Sequence, residues 1–145
     1  MGKHQRAITC GAFSNNDLLA LGAEDASITV SSTDGDSVFS FTCNSDPSMI
    51  KFYDFKQSSE KNAKSDVMLS AVLGKKILML VNLSDSENPI NLQFQVRYGN
   101  IATYCWFGDG FLLLGFDKGF LVCISVNDSE IGQVYFSSLN FCIYK

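Results

Sequence analysis

The chain has 145 residues, 46 % hydrophobic and 18 % charged, which excludes a disordered polymer and fits one globular domain. Its formal net charge of −4 excludes the electrostatic footprint of a nucleic-acid binder. Twelve Phe and five Tyr favour strands over helices, and five Cys without a CxxC pair point to reduced thiols.

After a basic lead-in at Gly2-Lys3-His4, the first predicted strand is Ile8–Ser14. Asn15-Asn16-Asp17 is turn chemistry, because Asn and Asp side chains bond back to their own backbone. Leu18–Ala23 is nearly all apolar, as expected of a strand covered on both faces. Ser27–Ser32 alternates, with Ile28 and Val30 on one face. An Asp34-Gly35 hairpin signal then leads to an outer strand at Val38–Phe41. Asp46-Pro47 punctuates the chain, and a second set follows: Met49–Phe55, Val67–Leu73, Ile77–Leu83 and Ile90–Val96. The polar run Lys56–Asp66 interrupts it and reads as a solvated, mobile loop with its lysines interleaved by acids. Gly99-Asn100 opens a third set: Ala102–Phe107, Phe111–Phe116, Phe120–Ser125 and Gln133–Phe136. After Ser137 the pattern stops.

These sets are a repeat. Ile8–Ser32 aligns with Ile101–Ser125 without a gap, with Ile8/Ile101, Leu19/Leu112, Leu21/Leu114, Gly22/Gly115 and Ser32/Ser125 identical. In the middle set, Ile50–Phe55 matches Ile8–Phe13 at a spacing of 42, and Leu69–Gly74 matches Asp17–Gly22 at a spacing of 52, the difference being the insertion. A period of roughly 40–45 residues with four short strands is the spacing of propeller blades. The expected fold is all-β: three consecutive four-stranded blades of an incomplete β-propeller, at about 5–43, 48–96 and 100–137, with a tail at 138–145. A blade buries its faces against neighbours. Three blades do not close a ring, so two outer faces rich in Phe and Leu are expected to be exposed, and the chain reads as part of a longer propeller.

No catalytic constellation is visible. The one histidine, His4, is near the terminus, and no GxSxG, zinc-ligand spacing or glycine-rich phosphate loop occurs. The acids at Asp17, Glu24, Asp25, Asp34 and Asp36 fall in turns, where they are favoured structurally. The expectation is a protein that is not an enzyme, with no cofactor and no metal. The longest apolar stretch, Phe111–Val126, contains Asp117 and Lys118, so membrane insertion is not expected. Cys10, Cys105 and Cys123 sit at strand positions and read as small core residues.

Several segments carry a resemblance: Gly2-Lys3-His4, Arg6–Gly11, Asn16–Gly22, Glu24-Asp25, Ile28–Ser31, Val72–Lys76, Gly99–Ile101 and Trp106–Gly110. Together they resemble a WD-repeat subunit of the intraflagellar transport A complex, including a shared departure, Ser31 where a WD blade normally has Trp. Leu139–Lys145 does not resemble the family. The resemblance implies WD40-type blades and a scaffold acting in retrograde intraciliary transport, cilium assembly and ciliary entry of membrane proteins. Its implied partners are other transport A subunits and cargo adaptors, and its implied location is the cilium, the ciliary base and the cytoplasm. A WD-repeat protein-binding module of vesicle-coat or adaptor machinery is the alternative. In WD-type blades a His before the first strand meets an Asp in the turn after the second. By that resemblance His4 and Asp25 are the structural pair of the first blade, joined by a charge-assisted hydrogen bond. Lys76 and Lys118 near the corresponding Asp positions imply that the pair is not repeated.

Overall fold

Turn chemistry and strand alternation produce three separate antiparallel meanders in a computed structural model of the chain. The structure describes residues 3–55, 67–127 and 131–139, so the insertion 56–66 and the end of the tail, 140–145, lie outside the described residues. The first sheet is β1 (Ile8–Phe13), β2 (Leu18–Ala23), β3 (Ser27–Ser32) and β4 (Ser37–Thr42). The second is β5 (Pro47–Asp54), β6 (Val67–Leu73), β7 (Ile77–Asn82) and β8 (Ile90–Gln93). The third is β9 (Ile101–Phe107), β10 (Phe111–Phe116), β11 (Phe120–Ser125) and β12 (Val134–Leu139). In each, the strands are hydrogen-bonded in chain order. The chain forms two compact units, 1–92 with two sheets and 93–145 with one.

The turns follow from their residues. Between β1 and β2, the Ser14 hydroxyl accepts from the backbone N–H of Asn16 at 3.2 Å and of Leu18 at 3.0 Å. This local bonding offsets the left-handed conformation of Asp17, at φ 57°. Gly35, at φ 87°, closes the β3–β4 hairpin with its N–H on the Ser32 carbonyl at 3.0 Å.

Within the first unit the two sheets stack face to face. Ala20, Ile28 and Val30 of the first sheet form one buried cluster with Leu69, Ala71, Met79 and Val81 of the second. All seven residues of β6 are buried, which explains its unbroken apolar run. The Thr9 hydroxyl donates to the Pro47 carbonyl at 2.5 Å, and the Asn15 amide donates to the Asp54 carboxylate at 2.7 Å. These bonds join the first strands of the two sheets at both ends. Gly22 sits at the tightest approach: a Cβ there would lie 2.6 Å from Pro47 Cγ and 2.9 Å from Cys10 Sγ. Gly22→Ala is therefore expected to cost about 1–3 kcal/mol by overpacking, read from urea unfolding midpoints.

The last strand, expected over Gln133–Phe136 with the pattern stopping after Ser137, runs Val134–Leu139, and two further expectations are corrected. The strand expected over Ile90–Val96 ends at Gln93, and Val96–Tyr98 forms a 3-10 turn instead. The turn carries Tyr98 inward, 4 % exposed, with its ring 5.3 Å from Phe116 and 4.7 Å from Phe120. Val96 is left 89 % exposed. Burying one aromatic ring among two others outweighs continuing an alternating strand.

The second correction concerns the register of the middle set. Three equivalent backbone bonds mark where each second strand leaves its sheet. Glu24 N–H bonds the Ala7 carbonyl, Gly74 N–H that of Asp46, and Asp117 N–H that of Asn100, at 2.9, 3.0 and 2.9 Å. Gly74 is thus the counterpart of Glu24, in a turn at φ 53°, and not of the in-strand Gly22. Matching Gly to Gly displaced the middle alignment by two residues in the second strand, and the first strand was displaced by three: Phe52 pairs with Leu69 as Phe13 pairs with Leu19, so Ile50 is the counterpart of Gly11 and not of Ile8. The 93-residue register between the first and third sheets holds: Leu19 pairs with Phe13 and Ser31 as Leu112 pairs with Trp106 and Ile124.

Candidate functional site

The polar centre of the first sheet forms where the lead-in crosses β3. Ser27, Thr29 and Ser31 alternate on one face of β3, opposite Ile28 and Val30. The His4 side chain is 3 % exposed. Its Nε2 lies 2.9 Å from Thr29 Oγ1, and its Nδ1 lies 3.0 Å from Ser27 Oγ and 3.4 Å from Asp25 Oδ1. The Ser27 hydroxyl donates its one proton to Asp25 Oδ1 at 2.5 Å. It can then only accept from His4, which places a proton on Nδ1. Asp25 also accepts from the Gln5 N–H at 2.9 Å and from the Ser27 N–H at 3.2 Å. These donors hold its carboxyl down at about 2, the Ser27 hydroxyl contributing most, then Gln5, with His4 adding less. Lys3 extends the row, its ammonium donating to Ser31 Oγ at 2.7 Å and to the Gly35 carbonyl at 2.6 Å.

The structure therefore brings His4 and Asp25 together, with Ser27 as the closer bridge. Ser27, Thr29 and Lys3 were not singled out from the sequence, although the Ser-x-Thr-x-Ser spacing of β3 puts Ser27, Thr29 and Ser31 on one face. The third sheet has its own fastening, also missed. Asp117 Oδ1 accepts from the Asn100 N–H at 2.8 Å, and Oδ2 accepts from the Asn100 amide at 2.9 Å. The Lys118 implication that nothing equivalent recurs holds only for a His–Asp pair. The gapless 93-residue register already set Asn100 against Ala7 and Asp117 against Glu24. Gly99, at φ 83°, lies directly against the Asp117 carboxylate, where a Cβ would collide with Oδ1.

The Asp25 and Asp117 carboxylates accept their bonds from within the protein, and no group of three or more His, Cys, Asp or Glu among the described residues could hold a metal ion. No helix among the described residues is long and apolar enough to cross a membrane. The cysteines divide. Cys43 is buried, and burial pushes its thiol up to about 11; Cys10 and Cys123 are raised in the same direction by burial. Cys105, expected in the core, is exposed, because its side of β9 carries no covering layer. Maleimide labelling of the folded chain should modify Cys105 at least tenfold faster than Cys43, since the buried thiol is both inaccessible and protonated. Equal rates would contradict this burial.

The remaining surface feature is apolar. On the β2 side facing Ser31, Phe13 is 71 % exposed, and Leu19 and Leu21 are half-buried. On β10, Leu112 and Leu114 are fully buried while Phe111 and Leu113, on the opposite face, are half-buried.

The chain was compared with known proteins. A family model described as the WDR19 first beta-propeller matches residues 1–143, so the likeness runs on through 139–143, where the sequence was expected to leave the family. The chain is 43 % identical over 138 residues to mouse WD repeat-containing protein 19, covering 95 % of this chain. It is 38 % identical over 141 residues to Caenorhabditis elegans WD repeat-containing protein dyf-2, covering 97 %. In both cases it spans 10 % of the relative's length. Among solved structures, the β-propeller domain of Myceliophteria thermophila Cps50 (Swd1) superposes at a TM-score of 0.68 with 14 % identity, over 97 % of this chain and 44 % of that one. The computationally designed protein Ika8 does so at 0.68 with 19 % identity, over 93 % and 37 %. These likenesses establish the fold: the three sheets are consecutive blades of an incomplete, open β-propeller.

Proposed function

Because the chain belongs to the WDR19 first β-propeller family, we propose that it serves as a non-enzymatic scaffold segment of an intraflagellar transport A subunit. In this reading it acts in retrograde intraciliary transport, cilium assembly and the ciliary entry of membrane proteins. Its partners are other transport A subunits and adaptors for ciliary membrane-protein cargo, and its places are the cilium, the ciliary base and the cytoplasm. The units of the scaffold are the blades at about 5–43, 48–96 and 100–137. The observation that carries the reading is the family match across 1–143, joined to three four-stranded sheets that share the same backbone bond at the end of the second strand.

The physical content supports a scaffold. The buried polar groups fasten loops to blades, and the apolar groups stack blades on one another. Neither set presents a reactive atom to a substrate. His4 and Asp25 are then structural residues, holding the lead-in against the turn that follows β2. A fluorescent tag at the protein's own locus in ciliated cells tests the placement. The expected result is signal at the ciliary base and in particles moving toward it along the cilium; uniform cytoplasmic signal in fully ciliated cells contradicts it.

A further inference from the structure

We infer that two outer turns of the first two blades, at Thr33 and Ser84, are phosphorylation sites for an acid-directed serine/threonine kinase. Such a kinase holds its substrate in a basic cleft, so it needs carboxylates just after the accepting hydroxyl. The reaction moves the γ-phosphoryl group of ATP to the hydroxyl oxygen. A new O–P bond forms, the bond from phosphorus to the β-phosphate oxygen breaks, ADP leaves, and the hydroxyl proton passes to the kinase's base.

The sequence and the structure select the same two residues. Five hydroxyl residues have an acid three positions on: Ser14, Ser31, Thr33, Ser84 and Ser125. Only Thr33 and Ser84 also have an acid at the next position, in Thr33-Asp34-Gly35-Asp36 and Ser84-Asp85-Ser86-Glu87. The other three are closed to a kinase. Ser125 is fully buried. Ser31 is buried and accepts from the Lys3 ammonium. The Ser14 hydroxyl is held by the N–H groups of Asn16 and Leu18. Thr33 and Ser84 are exposed, and so are Asp34, Asp36, Asp85 and Glu87.

Their placement is regular. Thr33 lies in the β3–β4 turn, and Ser84 lies in the 3-10 turn Leu83–Asp85 that leads from β7 to β8. The Thr9–Pro47 and Asn15–Asp54 bonds set β1 and β5 side by side in the same direction, so β3 and β7 also end on one side of the stack. The two turns therefore leave the same end of neighbouring blades within one compact unit. Blade stacking buries sheet faces and leaves such turns open: residues 33–37 are exposed although the Ala20–Val30 face of the same blade is covered. Neither turn has much packing to lose on entering a kinase cleft, since 33–36 are all exposed and Leu83–Asp85 buries no residue. Each phosphoryl group adds about −1.5 to −2 of charge at neutral pH. At Thr33 the Lys3 ammonium, bonded to the Gly35 carbonyl, stands near as a counter-charge. At Ser84 no Lys or Arg occurs within 83–89, so the added charge repels Asp85 and Glu87 and works against the loop closed by the Asp85–Asn88 bond. Phosphorylation thus turns an acidic edge into a strongly anionic one.

Incubation of the folded chain with a purified acid-directed kinase, casein kinase II, and Mg-ATP tests the sites, read by intact mass and phosphopeptide mapping. Two phosphoryl groups per chain are expected, one at Thr33 and one at Ser84. Thr33→Ala and Ser84→Ala should each remove one. Asp36→Asn should slow modification of Thr33 at least tenfold and leave the rate at Ser84 unchanged, and Glu87→Gln should do the converse. Thermal melts matching that of the wild type show that these surface variants keep the fold. The same mapping on the protein tagged at its own locus and purified from ciliated cells should find phosphate at both sites. The inference is overturned by no incorporation into the folded chain, by incorporation only at other residues, by rates indifferent to Asp36 and Glu87, or by cellular protein with phosphate at neither site.

Discussion

Leu69→Ala is expected to lower the stability of the folded chain by about 2–5 kcal/mol, measured as a shift in urea midpoint. Leu69 is fully buried within the stack of the first two blades, so truncation removes its transfer free energy and leaves a cavity between sheets that are held on both sides. The same substitution at the counterpart position, Leu19→Ala, removes the same atoms from a half-buried side chain on an open face, and water can enter the space left. Its expected cost is about 1 kcal/mol or less. The contrast matters more than either value. Equal losses would mean that Leu19 is as well covered as Leu69, which the position of Leu19 beside the exposed Phe13 contradicts.

His4→Ala is expected to cost about 1–3 kcal/mol, because it leaves the hydroxyls of Ser27 and Thr29 without the imidazole that joins them. Asp25→Ala in the His4→Ala background should add less than it does in the wild type, since both side chains act through Ser27. Ser27→Ala should remove most of that coupling, because the direct His4–Asp25 approach is 3.4 Å. Strictly additive losses for His4→Ala and Asp25→Ala would contradict a shared network. A pH dependence follows with a fixed sign. The Asp25 carboxyl is held at about 2, below the ordinary Asp value of about 3.9. Its contribution is fully present above the ordinary value and is lost as pH falls from about 4 toward 2. Asp25→Asn should flatten the melting-temperature profile across that window and leave its shape above pH 5 unchanged.

Much of this architecture is legible in the residues. The strands β2, β3, β6, β10 and β11 begin and end at the residues read from alternation and turn chemistry, because each lies between strong turn signals. The repeat was legible because Leu19, Leu21 and Gly22 recur at one spacing in strands with the same role. It was misread in the middle set, where Gly74 offered a false match to Gly22. Only backbone bonding separates a glycine needed for a left-handed turn from one needed for close packing. The early end of β8 was hidden because its cause is tertiary: Tyr98 leaves the strand pattern to join Phe116 and Phe120. Cys105 was taken for a core residue because alternation gives two faces and does not say which is covered. The Asn100–Asp117 fastening uses different residue types for the same task, so matching by identity passes over it.

The scaffold reading joins these parts. Blades stacked by apolar faces and fastened by short polar networks present surfaces and loops, and a surface acts by what it holds. The measurement that tests this most directly is affinity capture of the protein, tagged at its own locus, from ciliated cells, with mass spectrometry of what is retained. The account predicts a long WD-repeat chain recovered together with the other subunits of the transport A complex. Capture of the tagged chain, intact and abundant, without any of those subunits would contradict it.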